Sequence, residues 1–209
     1  MSYQEFRPRQ FQQIPVVVKN ILIINVILFV AQEIMGRSGI NLAQYLGLFP
    51  IGTAYFKPYQ FITYMFMHAD LTHIFFNMFG VYMFGSILEN IWGAKRFLNF
   101  YLLCGLGAAA LQVSINYLTG DFAYLVGASG ALFGLLVAFA MMFPNTHLNI
   151  YFLIPVKAKY LVTAYAAFEV IAAVLNRADD QVSHLGHIGG LIVGAIIMLI
   201  WKRNKTFFY

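Results

Sequence analysis

Long apolar stretches alternate along the chain with short polar, glycine-rich or proline-rich ones. A helix that crosses a bilayer needs roughly 20 mostly apolar residues. Six stretches meet that requirement, and Pro155 near the start of the fifth indicates that this helix begins late. The pattern therefore predicts an all-α membrane protein. Its six helices are expected at residues 16–35, 61–88, 97–118, 124–143, 150–175 and 184–201.

The stretch between the first two predicted helices, residues 36–60, differs in character from the rest. Glycine and proline interrupt it repeatedly, yet it keeps large apolar side chains such as Leu48, Phe49 and Tyr55. An irregular but apolar segment of this kind is suited to the interface between lipid and water. We expect this first loop to be embedded in the outer headgroup region of the membrane.

The composition indicates that this protein is surrounded by lipid. The 209 residues are 61% hydrophobic and 10% charged, against about 25% charged in an average soluble domain. The net charge of +5 resides in short loops and at the ends, a distribution that fits a topology signal better than a nucleic-acid-binding face. The single cysteine, Cys104, cannot form an intrachain disulfide. We expect one membrane domain at 16–201, between short cytoplasmic segments at 1–15 and 202–209.

The basic residues also predict how the helices are oriented, because cytoplasmic loops carry an excess of lysine and arginine. Ten of the 13 basic residues fall on one set of loops and ends, and Arg37, Lys57 and Arg177 fall on the opposite set. Both termini are therefore predicted to be cytoplasmic. No signal-peptide cleavage site follows the first apolar stretch, and the lack of targeting segments favours a bacterial cytoplasmic membrane. The ten basic residues on the predicted cytoplasmic side are Arg7, Arg9, Lys19, Lys95, Arg96, Lys157, Lys159, Lys202, Arg203 and Lys205.

This topology brings polar residues of three helices to one depth. The second, fourth and sixth predicted helices begin at the outer face, and His73, Ser129 and His187 lie near those beginnings. At about 1.5 Å per residue, Ser129 and His187 lie within roughly 10 Å of their helix ends. Polar residues inside a membrane are costly and usually mark function. We expect these side chains to form one site that opens to the outer face.

Ser129 and His187 are candidates for an acyl-transfer pair. Ser129 lies near a helix start, where unpaired N–H groups face any developing negative charge. Small residues, Gly130 on one helix and Gly190 and Gly194 on the other, would permit a serine-to-imidazole hydrogen bond of about 2.6–3.2 Å. The competing interpretation is structural, since the same glycines form a helix-packing face and a histidine at a helix end is ordinary. For Ser129 taken alone, packing is the favoured interpretation.

His73 and Asn77 are four residues apart and so project from one face of a helix. They either hydrogen-bond between helices or donate to the oxyanion of a tetrahedral intermediate, where one lost donor costs about 10²–10³ in rate. His68 lies five residues before His73 and cannot share its face well. It is interpreted as a structural or water-facing histidine.

A metal centre and a carboxylate pair are the alternative catalytic devices. The sequence has no H-E-x-x-H motif, its sole cysteine is elsewhere, and no acidic residue adjoins the histidines. Glu169 and Glu89 approach the apolar core but do not form an obvious carboxylate pair. Both devices are therefore disfavoured, and neither a metal nor a cofactor is expected.

Three motifs together resemble those of the rhomboid family of intramembrane serine proteases. They are M-H-A-D-L-T-H-I-F-F-N-M at 67–78, G-A-S-G at 127–130 and H-I-G-G-L-I-V-G at 187–194. Each motif is weak by itself, but their order in the second, fourth and sixth helices matches the family over residues 16–201. The resemblance implies a six-helix rhomboid-like bundle with a membrane-embedded first loop.

The resemblance also implies roles for individual residues. Ser129 would be the nucleophile and His187 the general base, in a dyad without an acidic third member. His73, Asn77 and backbone N–H groups around Gly127 and Ser129 would form the oxyanion hole. The fifth helix would be a lateral gate, and the loop before the sixth helix a cap over the site.

Two positions depart from the family pattern, and a third follows it. The family often has Trp-Arg in the first loop where this chain has Tyr59-Gln60, which leaves the role of that arginine without an equivalent. It often has tyrosine where this chain has Phe133, which can stack on the histidine but has no hydroxyl group. Glu89 matches an acidic family position at the inner end of the second helix and is expected to be structural.

Three functions remain open at this point. The first is an intramembrane serine protease that cleaves transmembrane segments of other membrane proteins in the lipid bilayer. The second is a non-catalytic rhomboid-like protein that binds or escorts membrane helices, although binding alone does not require Ser129 and His187. The third is a small transporter or channel, which the lack of a detectable internal repeat disfavours. The oligomeric state does not follow from the sequence.

Overall fold

The computed structural model describes residues 13–150, 154–175 and 182–204. Within those ranges the chain forms nine α-helices and one antiparallel hairpin of two strands. A 3-10 turn at Tyr64–Phe66 follows α3, and a π turn at Val81–Gly85 joins α4 to α5. The elements are α1 (Val16–Arg37), α2 (Ala43–Leu46), α3 (Gln60–Thr63), α4 (Leu71–Gly80), α5 (Ser86–Trp92), α6 (Ala94–Thr119), α7 (Ser129–Met142), β1 (His147–Ile150), β2 (Ile154–Lys157), α8 (Ala158–Leu175) and α9 (His184–Arg203).

Five helical spans are long and apolar enough to cross a bilayer, namely α1, the continuous span Leu71–Trp92, α6, α8 and α9. The remaining membrane helix, α7, corresponds to the fourth predicted helix; it is apolar but has only 14 residues. Its length of about 21 Å is less than a hydrocarbon core of about 30 Å. It packs against α6 and α9, which also pack extensively on each other. The protein is thus an all-α, multi-pass membrane bundle, as predicted, with boundaries that differ from the expected ones.

The second predicted helix is broken near its start. Residues 60–66 form α3 and a 3-10 turn, the chain is extended at Met67, and α4 begins only at Leu71. Asp70 caps α4, because its side chain accepts a hydrogen bond of 2.8 Å from the His73 amide. His68 therefore precedes the helix. Its side chain is 1% exposed, so the water-facing interpretation is wrong and the structural one holds.

The fourth helix begins five residues later than predicted, at Ser129, because the segment before it pairs with the first loop. Leu48 and Leu125 exchange two backbone hydrogen bonds of 2.9 Å. The rings of Phe49 and Tyr124 stack beside this bridge with centroids 4.8 Å apart. The apolar character of this segment thus reflects the burial of Leu125 and Ala128 in non-helical backbone and not a helix.

The fifth helix begins at Ala158 and not at residue 150, so the late start indicated by Pro155 is confirmed and the original boundary is wrong. Residues 147–150 and 154–157 instead form the paired strands β1 and β2, in which Pro155 lies opposite Asn149. The Ala158 amide donates to Thr146 O and so joins the start of α8 to the base of the hairpin. Proline lacks an amide donor and is tolerated in such a short two-stranded ribbon.

Gln60 organises the first loop from a fully buried position. Its Oε1 accepts from the amides of Phe49 and Lys57, and its Nε2 donates to the carbonyls of Tyr45 and Tyr55, all at 3.0–3.3 Å. Buried backbone groups need such partners where no regular structure supplies them. The amide side chain therefore satisfies the loop backbone at the position where the family often has arginine.

Glu89 has a structural role, as expected. Its two carboxylate oxygens accept hydrogen bonds from the amides of Val17 and Val18, at 2.9 and 2.8 Å. These amides belong to the first turn of α1, which Pro15 precedes without offering a side-chain acceptor. A buried carboxylate thus caps α1 and complements its helix dipole.

Several predictions concern residues outside the described ranges. The segments 1–12 and 205–209 contain Arg7, Arg9 and Lys205, and most of the proposed cap loop lies at 176–181 with Arg177. The domain boundaries at 15 and 202, and the cytoplasmic location of both termini, therefore stay predictions.

Candidate active site

Ser129 is the first residue of α7 and follows a sharp turn of the backbone. Gly127 makes that turn with φ of +115°, a conformation that side chains other than glycine rarely adopt. The Gly127 amide donates to Tyr64 O at 2.9 Å, and this bond fixes the turn against the 3-10 segment. Ser129 is thereby held at the N-terminal end of a helix, where the first amide N–H groups have no acceptor within the helix.

His187 lies in the first turn of α9 and is 8% exposed. Ser183 caps this helix, since its Oγ accepts a hydrogen bond of 3.1 Å from the Gly186 amide. The His187 Nε2 lies 2.8 Å from Ser129 Oγ, which is hydrogen-bond distance. The structure thus joins two residues that are 58 positions apart in the sequence.

The glycines of α7 and α9 permit this contact. A Cβ atom on Gly190 would overlap the Gly130 carbonyl oxygen, and one on Gly194 would lie 2.9 Å from the Gly134 Cα. The two backbones therefore touch without intervening side chains, as in other close helix pairs. The predicted packing residues Gly130, Gly190 and Gly194 lie together at this contact.

Phe133, one turn after Ser129, stacks on the His187 ring. The ring centroids are 4.3 Å apart and the planes are inclined by 20°. Tyr165 of α8 approaches Phe133 from the other side, edge to face at 6.5 Å. Aromatic packing thus restricts rotation of the imidazole even though position 133 carries no hydroxyl group.

His73 reaches the same site from α4. Its Nδ1 accepts a hydrogen bond of 3.3 Å from the Ala69 amide, so the ring proton of the neutral side chain resides on Nε2. That Nε2 lies against Gly127, only 2.7 Å from the position that a Cβ atom on residue 127 would occupy. His73 therefore presents a donor to the space beside the Ser129 turn.

Asn77 lies one turn further along α4 and is 4% exposed. Its Nδ2 donates to the His73 carbonyl at 3.0 Å, and its Oδ1 has no hydrogen-bond partner among the described residues. An amide group has two donors, so one N–H of Asn77 remains available to a ligand. Asn77 is thus brought to the same face as His73.

Gly127 is the one predicted oxyanion donor that the structure contradicts. Its amide proton is already used in the bond to Tyr64 O, so it does not point into the space before Ser129. The first intrahelical donor at this end of α7 is Leu132, which bonds to Ala128 O. The amides of Ser129, Gly130 and Ala131 precede it and are the backbone donors at this helix start.

The comparison with known protein families decides the classification. A model of the rhomboid domain matches residues 55–204, which include all three helices that carry the site. The chain belongs to the rhomboid family. Its relatives include the protein YdcA of Bacillus subtilis (strain 168), whose name describes it as a rhomboid protease, at 29% identity over 161 residues and 75% of each chain.

Two further relatives are longer than this rhomboid protein. Rhomboid protease AarA of Providencia stuartii is 30% identical over 156 residues, which are 66% of this chain and 53% of the relative. The mitochondrial presenilin-associated rhomboid-like protein of Bos taurus is 29% identical over 149 residues, 67% of this chain and 38% of the relative. This rhomboid protein thus spans about half or less of the length of those two.

Sequence reasoning missed one acidic residue of this rhomboid site. Glu169 of α8 is 4% exposed, and its Oε2 lies 2.6 Å from His184 Nδ1 and 3.0 Å from His187 Nδ1. No acidic residue adjoins the histidines along the sequence, but Glu169 adjoins two of them in space. Glu169 is 18 positions from His187 and on another helix, so no local spacing reveals the contact. The available signal was a lone carboxylate in an apolar helix.

These three residues also have the composition of a metal site. Glu169, His184 and His187 each offer one ligand atom, and those atoms lie within 4.8 Å of one another. Tetrahedral zinc with bonds of about 2.0–2.1 Å separates its ligand atoms by roughly 3.3 Å. Here Oε2 is 2.6 Å from His184 Nδ1, a hydrogen bond, and 3.0 Å from His187 Nδ1, an ion-pair distance, and both are shorter than the spacing between zinc ligands.

Proposed function

We propose that this rhomboid protein is an intramembrane serine protease that hydrolyses peptide bonds in or near transmembrane segments of other membrane proteins. The observation that carries the proposal is the 2.8 Å contact between Ser129 Oγ and His187 Nε2. A nucleophile within hydrogen-bond reach of a base, with that base oriented by neighbours, is the arrangement of covalent acyl transfer. Phe133 supplies one such neighbour.

The proposed reaction follows from these positions. Ser129 Oγ attacks the carbonyl carbon of the substrate while His187 Nε2 takes the hydroxyl proton. The tetrahedral intermediate collapses as the C–N bond breaks, and His187 gives the proton to the leaving amine. Water then attacks the acyl-enzyme, with His187 again as the base, and releases the carboxylate product and free Ser129.

Donors around Ser129 support stabilisation of the oxyanion. We assign the Nε2–H of His73, an N–H of Asn77 and the Ser129 amide to this role. The first is directed towards the Ser129 turn by the tautomer that the Ala69 amide selects. Donors fixed before the reaction act strongly in a site from which water is largely excluded.

The substrate class follows from the surroundings of the dyad. Ser129 begins a helix inside a membrane bundle, so a peptide bond reaches it from lipid or from the adjacent interface. A helical substrate must unwind locally, since its carbonyls are otherwise engaged in hydrogen bonds. The charge distribution favours a site that opens to the outer face of a bacterial cytoplasmic membrane.

A serine-reactive phosphonate provides the test in detergent or in proteoliposomes. We expect it to label Ser129 and to block cleavage of a transmembrane reporter. Ser129→Ala and His187→Ala should lose both labelling and cleavage, whereas Ser114→Ala and His147→Ala, at exposed positions, should keep both. Cleavage retained in purified Ser129→Ala protein would refute the proposal. Helix binding without labelling or cleavage in the wild type would instead indicate the escort function.

A further inference from the structure

We propose that Glu169 is a positioning residue for His187 and completes a Ser129–His187–Glu169 arrangement. This inference rests on the proposed function, because it assigns a role in the same reaction. It adds a third helix, α8, to the catalytic apparatus. It also replaces the expected dyad by a serine, a histidine and a carboxylate in contact.

The geometry places the carboxylate on the side of the imidazole opposite the serine. His187 Nε2 faces Ser129 Oγ at 2.8 Å, and His187 Nδ1 faces Glu169 Oε2 at 3.0 Å. The second contact has ion-pair distance but not the angle of a straight hydrogen bond. Catalytic hydrogen bonds in ligand-free enzymes are often poorly aligned and tighten when substrate binds.

An ionised carboxylate only accepts hydrogen bonds, and this property selects the tautomer of its partner. Glu169 therefore favours the proton of neutral His187 on Nδ1. The Nε2 atom then carries the lone pair that faces the Ser129 hydroxyl, which is the tautomer that a general base needs. When His187 takes the serine proton, the same carboxylate stabilises the resulting imidazolium.

His184 explains how Glu169 can be buried as an anion. A buried carboxylate is costly unless hydrogen bonds or opposite charges compensate it. His184 Nδ1 lies 2.6 Å from the same Oε2 that faces His187, and the His184 side chain is itself buried. His184 thus anchors Glu169, and Glu169 in turn faces His187, one turn further along α9.

Enzyme kinetics of Glu169→Gln, which preserves shape and removes charge, test the assignment. We expect kcat to fall by at least tenfold and towards the roughly 10⁴-fold seen when a triad aspartate becomes asparagine, with KM little changed. Glu169→Asp should recover part of kcat because it keeps the charge. Glu33→Gln, the same change at an exposed position of α1, is the matched control and should behave as the wild type.

A spectroscopic readout separates positioning from a general structural role. We expect a downfield proton resonance whose loss in His187→Ala assigns it to Nδ1–H of His187, and which also disappears in Glu169→Gln. Melting temperatures of all variants establish that the compared proteins are folded. Should Glu169→Gln not fold, Glu169→Asp with the same resonance measurement still decides the question.

The results that would overturn the inference differ from those that refute the protease function. Wild-type kcat in folded Glu169→Gln would exclude the positioning role, while loss of activity in Ser129→Ala would still support the protease. Activity that EDTA abolishes and added Zn²⁺ restores would show that Glu169, His184 and His187 bind a metal instead. Unchanged activity in EDTA is the expected result.

Discussion

Gly190→Ala is the most direct perturbation of the contact between α7 and α9. The added Cβ would overlap the Gly130 carbonyl oxygen and lie 2.7 Å from its carbonyl carbon, where ordinary contact begins at 3.4 Å. The backbones must therefore separate by more than about 0.7 Å, because the tighter overlap with the oxygen demands a larger shift than the contact with the carbon and neither atom belongs to a flexible side chain. Ser129 directly precedes Gly130, and His187 lies one turn before Gly190. Their 2.8 Å hydrogen bond is thus expected to lengthen beyond about 3.5 Å, where it is no longer effective.

A misplacement of about 1 Å can cost 10²-fold in rate, so we expect kcat to fall by that order, equivalent to roughly 2.7 kcal/mol in the activation barrier. Overpacking should also cost about 1–3 kcal/mol of stability. The assay is cleavage of a transmembrane reporter per folded protein, together with the rate of phosphonate labelling. Gly36→Ala, at a position with no atom within 4 Å of the added Cβ, is the control. Wild-type cleavage and labelling in folded Gly190→Ala would refute the argument that glycine contact sets the catalytic distance.

Two further predictions concern the oxyanion donors and the first loop. His73→Ala and Asn77→Ala should each lower kcat by about 10²–10³ with little change in KM, as steady-state kinetics will measure, and an effect confined to KM would contradict the oxyanion role. Gln60→Leu removes four hydrogen bonds from partly buried backbone groups and should lower the free energy of unfolding by several kcal/mol, at about 1 kcal/mol for each bond. Steric trapping or thermal denaturation in detergent measures that loss, and an unchanged unfolding midpoint would show that the loop backbone is satisfied in another way.

The sequence was sufficient for the architecture and for much of the site. Hydrophobic length predicts the spanning helices because lipid imposes one length on each of them. The serine and histidine motifs lie beside glycines whose effect is local, so Ser129 and His187 could be paired without coordinates. The stacking of Phe133 on the imidazole was implied by the family resemblance and not by spacing, and the rings do stack.

Other features depend on contacts that no local pattern encodes. Hydropathy does not distinguish a spanning helix from a short helical turn, a strand or an irregular apolar segment, so the predicted starts of α4, α7 and α8 are too early. The periodicity of α8 gives the face on which Glu169 lies but not the helix that this face meets. The structure supplies that information, since Glu169 contacts α9 at His184 and His187.

The same tertiary contacts explain how irregular backbone is tolerated inside a membrane bundle. Unpaired amides and carbonyls are prohibitive in lipid and are accepted only where protein surrounds them. Here Leu48 and Leu125 pair through their backbones, Gln60 satisfies the loop, and the Gly127 amide bonds to Tyr64 O. The last of these hydrogen bonds is made by Gly127, two residues before Ser129, so the segment that leads into the proposed nucleophile is fixed from one side. Contact with α9 fixes it from the other side, and the short helix α7 can therefore begin inside the bundle, where protein surrounds its first amides.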